Sequence, residues 1–183
     1  AGVDAIVAEG FEAGGHNGRD ETTTFCLIPN VKNHISKPLI AAGGIALGSQ
    51  MKAAMILGAD GVQIGSRFAA TVEASAHNNW KNKIVDLNEG DTHLTLKELA
   101  PVRMVKNKFF HDLENLYETG RNAEALKETL GRARAKKGMF EGDLEEGELE
   151  IGQVSALIHE ILPVEKVFEN LLREFRASSV VDL

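Results

Sequence analysis

Basic residues are in short supply in this chain. Twenty Lys and Arg stand against 27 Asp and Glu, for a net charge of −7 at neutral pH. That balance offers no electrostatic footprint for nucleic acid, so an anionic ligand would have to be small and held by local backbone donors. Cysteine is nearly absent. Cys26 stands alone, which excludes an internal disulfide and fits a reducing, cytoplasmic compartment; lying between Phe25 and Leu27, it reads as a buried packing residue. No apolar run is long enough to cross a bilayer and no signal-peptide pattern is visible, so no membrane partner is expected. No His/Asp/Glu spacing matches a metal cage, so no metal is expected either. What is present is ordinary for a globular protein: 183 residues, 43% hydrophobic and 26% charged, enough for one domain or slightly more. The chain opens on Ala1 rather than Met, and Ala1-Gly2 reads as the end of a helix, so an N-terminal half is expected to be missing.

Three units share one grammar. Ala5 to Ala8 reads as a strand that empties into Glu9-Gly10-Phe11-Glu12-Ala13-Gly14-Gly15-His16. Pro38 to Ala42 is a second strand followed by Gly43-Gly44-Ile45, and Gly61 to Ile64 a third followed by Gly65-Ser66-Arg67-Phe68. Their nearly continuous apolar character suggests strands buried on both faces, as in parallel sheets. Helices are expected between them, one within Thr22 to Asn33 and one from Ser49 to Leu57 with Gly58 as its C-terminal cap. Strand, loop, helix, strand is the α/β pattern. It fits a doubly wound sheet or an eight-stranded barrel, and glycine loops at successive strand ends favour the barrel.

Beyond Phe68 the texture becomes mainly helical. Glu73 to Asn88 reads as a helix carrying Trp80, Leu94 to Asn107 is mixed, and Leu113 to Lys136 is rich in helix formers. Glu141 to Glu150 reads as a solvated acidic loop. Val154 to Leu162 and Val164 to Arg176 read as two helices, with Pro163 starting the second. The expected division is 1–70 for the last three β/α units and 71–183 for a helical extension over the mouth of the barrel.

Gly43-Gly44 and Gly65-Ser66 each sit at the C-terminal end of a strand. Backbone N–H groups there, with a following helix N-terminus, form an anion site without a basic side chain, and Ser66 adds a hydroxyl. A single glycine pair would suggest only a tight turn; two on adjacent strands point to phosphate. His16 follows Gly14-Gly15 at a strand's C-terminal end, the face where barrels carry their chemistry, and is the candidate for proton transfer. His34, His77, His93, His111 and His159 lack such a setting and read as solvent-facing or packing residues. Glu9 and Glu12 flank the loop. They are open to acid–base work, to hydrogen bonding with a cofactor, or, for Glu12, to holding the loop in shape.

Taken together, "AEGFEAGGHNG", "PLIAAGGIALG" and "GADGVQIGSRF" resemble the nitronate monooxygenase (2-nitropropane dioxygenase) family and its relative, the flavin-dependent enoyl-acyl-carrier-protein reductases. "EASAHNNWK" and the late "EGDLEEGELEIGQVSALI" look like the same group. The resemblance implies the C-terminal part of a (β/α)8 TIM barrel that holds FMN, with a mainly helical extension and the first five strands absent. An exposed barrel rim would then invite self-association. By position His16 matches the catalytic histidine. Gly14 and Gly15 would approach the flavin, and Glu9 would contact its ring or ribityl chain. Gly43, Gly44 and the run Gln63-Ile64-Gly65-Ser66 would hold the phosphate, and Gly152-Gln153 matches a turn that returns to the barrel. The implied reaction is oxidative denitrification of an alkyl nitronate with O2. Enoyl-thioester reduction by NAD(P)H, NADH:quinone reduction and a non-redox phosphate-binding barrel are the alternatives.

Overall fold

The three glycine-terminated runs form one parallel sheet in the computed structural model, which describes residues 2–119 and 123–179. Strands β1 (Ile6–Glu9), β3 (Leu39–Ala42) and β4 (Gly61–Gln63) lie in the order β1-β3-β4, with Ile6 opposite Leu39 and Ile40 opposite Gly61. Central β3 buries Leu39, Ala41 and Ala42. Edge strand β1 alternates instead, burying Ala8 and leaving Val7 exposed, so burial on both faces holds for the centre of the sheet and not for its edge. Three strands cannot close on themselves; among the described residues the parallel sheet is open.

Helix α1 (Thr24–Lys32) turns Thr24 and Ile28, one turn apart, toward the strands. Phe25 and Cys26 fall off that stripe and are exposed. Cys26 is therefore a surface residue rather than the packing residue its neighbours suggested: helical periodicity, not flanking hydrophobicity, decides burial here. Helix α2 (Gly48–Ile56) starts one residue earlier than expected. Gln50 caps it, accepting from the N–H groups of Ala46 (2.8 Å) and Leu47 (3.0 Å). The short helix α3 (Ser66–Ala69) follows β4 at once.

The extension is less helical than its composition suggests. Helix α4 covers only Asn78–Val85, because the His77 ring nitrogen accepts from Asn79 N–H and caps it there. The mixed segment becomes a hairpin, β5 (Thr92–Thr95) with β6 (Val102–Val105), and β6 also pairs with the two-residue strand β2 (Gly15–His16). Helices α5 (Lys108–Glu118) and α6 (Ala123–Leu130) bury Phe109, Leu113 and Leu126 against that hairpin. Residues 120–122, inside the expected 113–136 stretch, lie outside the described residues. A single π-turn follows at Lys136–Phe140. The expected helix over 154–162 is one 3-10 turn, Gln153–Leu157. Leu162 instead bridges Thr71 in parallel register and precedes Pro163, which disfavours helical backbone before it. Pro163 does start the last helix, α7 (Val164–Ala177), whose Val167 and Leu171 are buried; α7 packs against α2.

One hydrophobic cluster contains Ala46 and Ala70 together with Trp80, Ile84, Leu149 and Ile151. The sheet unit and the extension thus share a core across the expected boundary at residue 70.

Candidate functional site

The C-terminal ends of β1, β3 and β4 open into a cavity of about 370 Å³. Glu9, Gly14, Gly43, Gly44, Gln63, Gly65 and Ser66 all line it. Gly43 has φ +83°, and a Cβ there would lie 2.7 Å from the Gly10 carbonyl oxygen, so the turn accepts only glycine. The first N–H groups of α3 have no intrahelical acceptor, since the helix's first bonds run from Phe68 and Ala69 to the Gly65 carbonyl. Ser66 Oγ accepts from Gly152 N–H at 3.0 Å, which leaves its own proton free to donate.

The other following helix is not available to an anion. Gly48 N–H, at the start of α2, donates to Glu174 Oε2 of α7 at 2.8 Å. The anion-binding character expected of both glycine turns therefore falls on backbone donors and α3, not on the α2 terminus. No Lys or Arg lines the cavity among the described residues.

Three of the expected site residues lie outside this lining. Ile64 packs toward the core of Ala8, Ile28 and Leu39. Gly15 and His16 form β2, opposite Arg103 and Val102, with the His16 side chain exposed beside the cavity. The Gly14-Gly15 pair has a local cause. A Cβ on Gly14 would meet the Ile151 carbonyl carbon at 2.3 Å, and one on Gly15 would meet Glu150 Oε2 at 2.5 Å. The return segment 150–152 lies directly on these two residues. The remaining histidines, His34, His77, His93, His111 and His159, are exposed as expected.

Glu12 is engaged in holding the loop. Its carboxylate accepts from Thr24 N–H at 2.9 and 3.1 Å and from Thr24 Oγ1 at 3.2 Å, while its carbonyl accepts from Gln153 N–H. Of the roles open to it, these bonds select the structural one. Glu9 is free of such bonds on the cavity wall, and burial raises its pKa.

Sequence reasoning missed two features. Arg103, 2% exposed, donates through Nε and Nη2 to the Phe11 carbonyl and stacks 4.5 Å over the Phe11 ring, pinning the loop from behind. The other is the acidic run 141–150, which is not a solvated loop throughout. Glu148 is 8% exposed, and its pKa is pushed up to about 7 by burial and by the neighbouring Glu150 charge. Glu150 lines the cavity and is raised by burial, with His16 drawing it partly back. The alternation Glu148-Leu149-Glu150-Ile151 was the available signal: Leu149 and Ile151 point into the core, and the two carboxylates alternate with them.

Comparison with known proteins places this geometry. The sequence profile described as nitronate monooxygenase matches residues 1–174. A probable nitronate monooxygenase of Bacillus subtilis is 35% identical over 181 residues, covering 94% of this chain and 52% of the relative. One from Staphylococcus saprophyticus is 32% identical, covering 95% and 51%. FabK from Thermotoga maritima superposes with a TM-score of 0.89 at 41% identity, over 96% of this chain and 55% of FabK. A nitroalkane oxidase from Streptomyces ansochromogenes gives 0.76 at 32% identity, over 96% and 52%. The chain spans about half the length of the relatives it matches.

Proposed function

Because the chain belongs to the nitronate monooxygenase family, we propose that it forms the C-terminal part of an FMN-dependent oxidoreductase that oxidises alkyl nitronates with O2. In this reading residues 1–70 supply the last three β/α units of an eight-stranded barrel, and 71–183 the extension that packs back on it. The observation that carries the reading is the convergence of two glycine turns, Gly43-Gly44 and Gly65-Ser66, from adjacent strands onto one cavity without a cation. A short helix after the last strand, with free N–H groups, is the arrangement in which barrels hold a phosphate.

These residues fit FMN. Gly43, Gly44 and Gly65 present backbone without side chains, Ser66 has a proton to donate, and Gln63 reaches the same cavity. Ile64 takes part through its backbone alone, since its side chain is in the core. When bound, FMN supplies the electron transfer between substrate and O2. Gly14 borders the ring side, while Gly15 lies behind it under Glu150. Glu9, its carboxyl raised by burial, hydrogen-bonds the ring or ribityl region. His16, exposed at the end of β2, positions the nitronate, or takes the α-proton when the parent nitro compound is bound instead. Glu12 and Arg103 keep the loop that carries these groups in place.

The likeness to FabK favours a second reading, reduction of an enoyl thioester by NAD(P)H in the same cavity; NADH:quinone reduction is a variant of it. The single cysteine, and the absence among the described residues of a helix able to cross a membrane, support a cytoplasmic enzyme acting on small molecules. Anaerobic stopped-flow spectroscopy of the full-length protein tests the assignment. Rapid bleaching of the flavin by propyl nitronate is expected. NADH oxidation with a crotonyl thioester and none of that bleaching would replace it with the second reading. A colourless protein that takes up no FMN would leave only a phosphate-binding barrel.

A further inference from the structure

The strand that carries His16 ends abruptly. β2 is two residues long, and beyond it Asn17 N–H donates to the Pro101 carbonyl at 2.9 Å. Pro101 has no N–H with which to return the bond, so the ladder between β2 and β6 stops at the residue after His16. The end of such a short ladder frays readily, and leaves a side chain there poorly aimed.

Arg19 takes over where the ladder stops. Its Nη1 donates to the Lys97 carbonyl and its Nη2 to the Leu99 carbonyl, both at 2.8 Å. The two acceptors lie on the connection between β5 and β6, and the planar guanidinium fork spans them as a lysine ammonium cannot. That connection is itself fixed. Leu96 is buried, holds a left-handed φ of +57°, and donates its N–H to the Tyr117 hydroxyl at 2.9 Å. Leu99 N–H donates to the Leu96 carbonyl at 3.0 Å. The ion pair between Lys97 and Glu21 beside them is exposed and adds little.

We propose that Arg19 is the positioning residue of His16: by bridging the Lys97 and Leu99 carbonyls it fixes the end of β2, and with it the direction of the imidazole, for proton abstraction from a nitroalkane. In that step the α C–H bond breaks and its electron pair forms the C=N bond of the nitronate. The N=O pair moves onto oxygen, and the proton goes to an imidazole nitrogen of His16. A substrate supplied as the nitronate needs no such step. The inference rests on the reading of the cavity as the substrate site of a nitronate-oxidising flavoenzyme with His16 at its edge.

The test compares 1-nitropropane with propyl nitronate in the full-length protein, in wild type, Arg19→Met and Arg19→Lys. Proton transfer is the step most sensitive to the direction of the imidazole. Arg19→Met is therefore expected to lower kcat on 1-nitropropane about tenfold with KM little changed, while propyl nitronate loses no more than about twofold. Arg19→Lys keeps the charge without the fork and is expected to lose nearly as much. Wild-type behaviour in either variant, an equal loss on both substrates, or a wild type that turns over only the nitronate overturns the proposal. If wild type turns over neither compound, the proposed activity fails, and amide hydrogen exchange decides the positioning separately. Faster exchange at Asn17 in Arg19→Met, with Leu96 unchanged, supports it; any other pattern overturns it.

Discussion

Glu148 is a carboxylate in the wrong place for its charge, and replacing it with Gln should stabilise the protein in a pH-dependent way. It is 8% exposed, follows the close crossing of Gly138 and Gly147, and has Glu150 two residues away. The Arg134 guanidinium offsets this only in part, and the group titrates at about 7 instead of 4.5. Below pH 4.5 the carboxyl is protonated in folded and unfolded chains alike and has no effect. Between 4.5 and about 7 the unfolded chain ionises first, so stability falls as pH rises. Above 7 the full cost is present, about 3 kcal/mol at most. Glutamine keeps the shape and cannot ionise. Urea unfolding at pH 5 and pH 8 should therefore show Glu148→Gln gaining on wild type by about 2 kcal/mol between the two conditions. Differencing the two proteins removes the titrating groups that do not interact with Glu148; Glu150, which does, contributes in the same direction because it loses a neighbouring negative charge. A gap that does not change with pH, or a variant less stable than wild type at pH 8, would refute the argument and show Glu148 ionised and paired with Arg134.

Gly43→Ala forces a Cβ to 2.7 Å from the Gly10 carbonyl at φ +83°, so a loss of about 2–4 kcal/mol is expected, with reduced FMN content, read by thermal unfolding and flavin absorbance. Glu174→Ala removes the acceptor of Gly48 N–H at the start of α2 and should cost about 1 kcal/mol in urea unfolding; no change would mean that water replaces the cap. His16→Ala should lower turnover strongly and leave FMN content near normal, because His16 is exposed and outside the cavity lining; loss of flavin would instead make it a structural residue.

What could be read from the sequence was what local pattern determines. The parallel strands announce themselves as apolar runs ending in glycine, and their ends fall within a residue or two of expectation because the turns demand glycine. The start of the last helix at Pro163 is equally local. Features set by distant partners were not legible. The β5–β6 hairpin has strands of four residues joined by the six-residue connection Leu96 to Pro101, and strand β2 is only two residues long, so none has a run long enough for a periodicity to show. The exposed face of α1, the single 3-10 turn where a helix was expected, and the Glu174 cap on α2 all depend on which element lies across from them.

The same reasoning changes the meaning of the glycine pair before His16. Such a pair reads as room made for a ligand, yet the group nearest the missing side chain of Gly14 is Ile151, and nearest that of Gly15 is Glu150. The segment 148–153 is stitched down at two further points, Gln153 N–H to the Glu12 carbonyl of the loop and Gly152 N–H to Ser66 Oγ of the phosphate turn. One stretch of the extension therefore touches the His16 loop and the phosphate turn at once, and brings a carboxylate to the cavity wall. Separating the sheet unit from the extension would remove one wall of the cavity and strip Ala46 and Ala70 of the Trp80 cluster they pack into. The extension is part of the site's construction, and substitutions at Gly14 or Gly152 should disturb the return segment before they disturb any ligand. A Cβ on Gly152 would crowd the Glu12 carbonyl and Ser66 Oγ together, both at 2.9 Å, loosening the loop and the phosphate turn in one step.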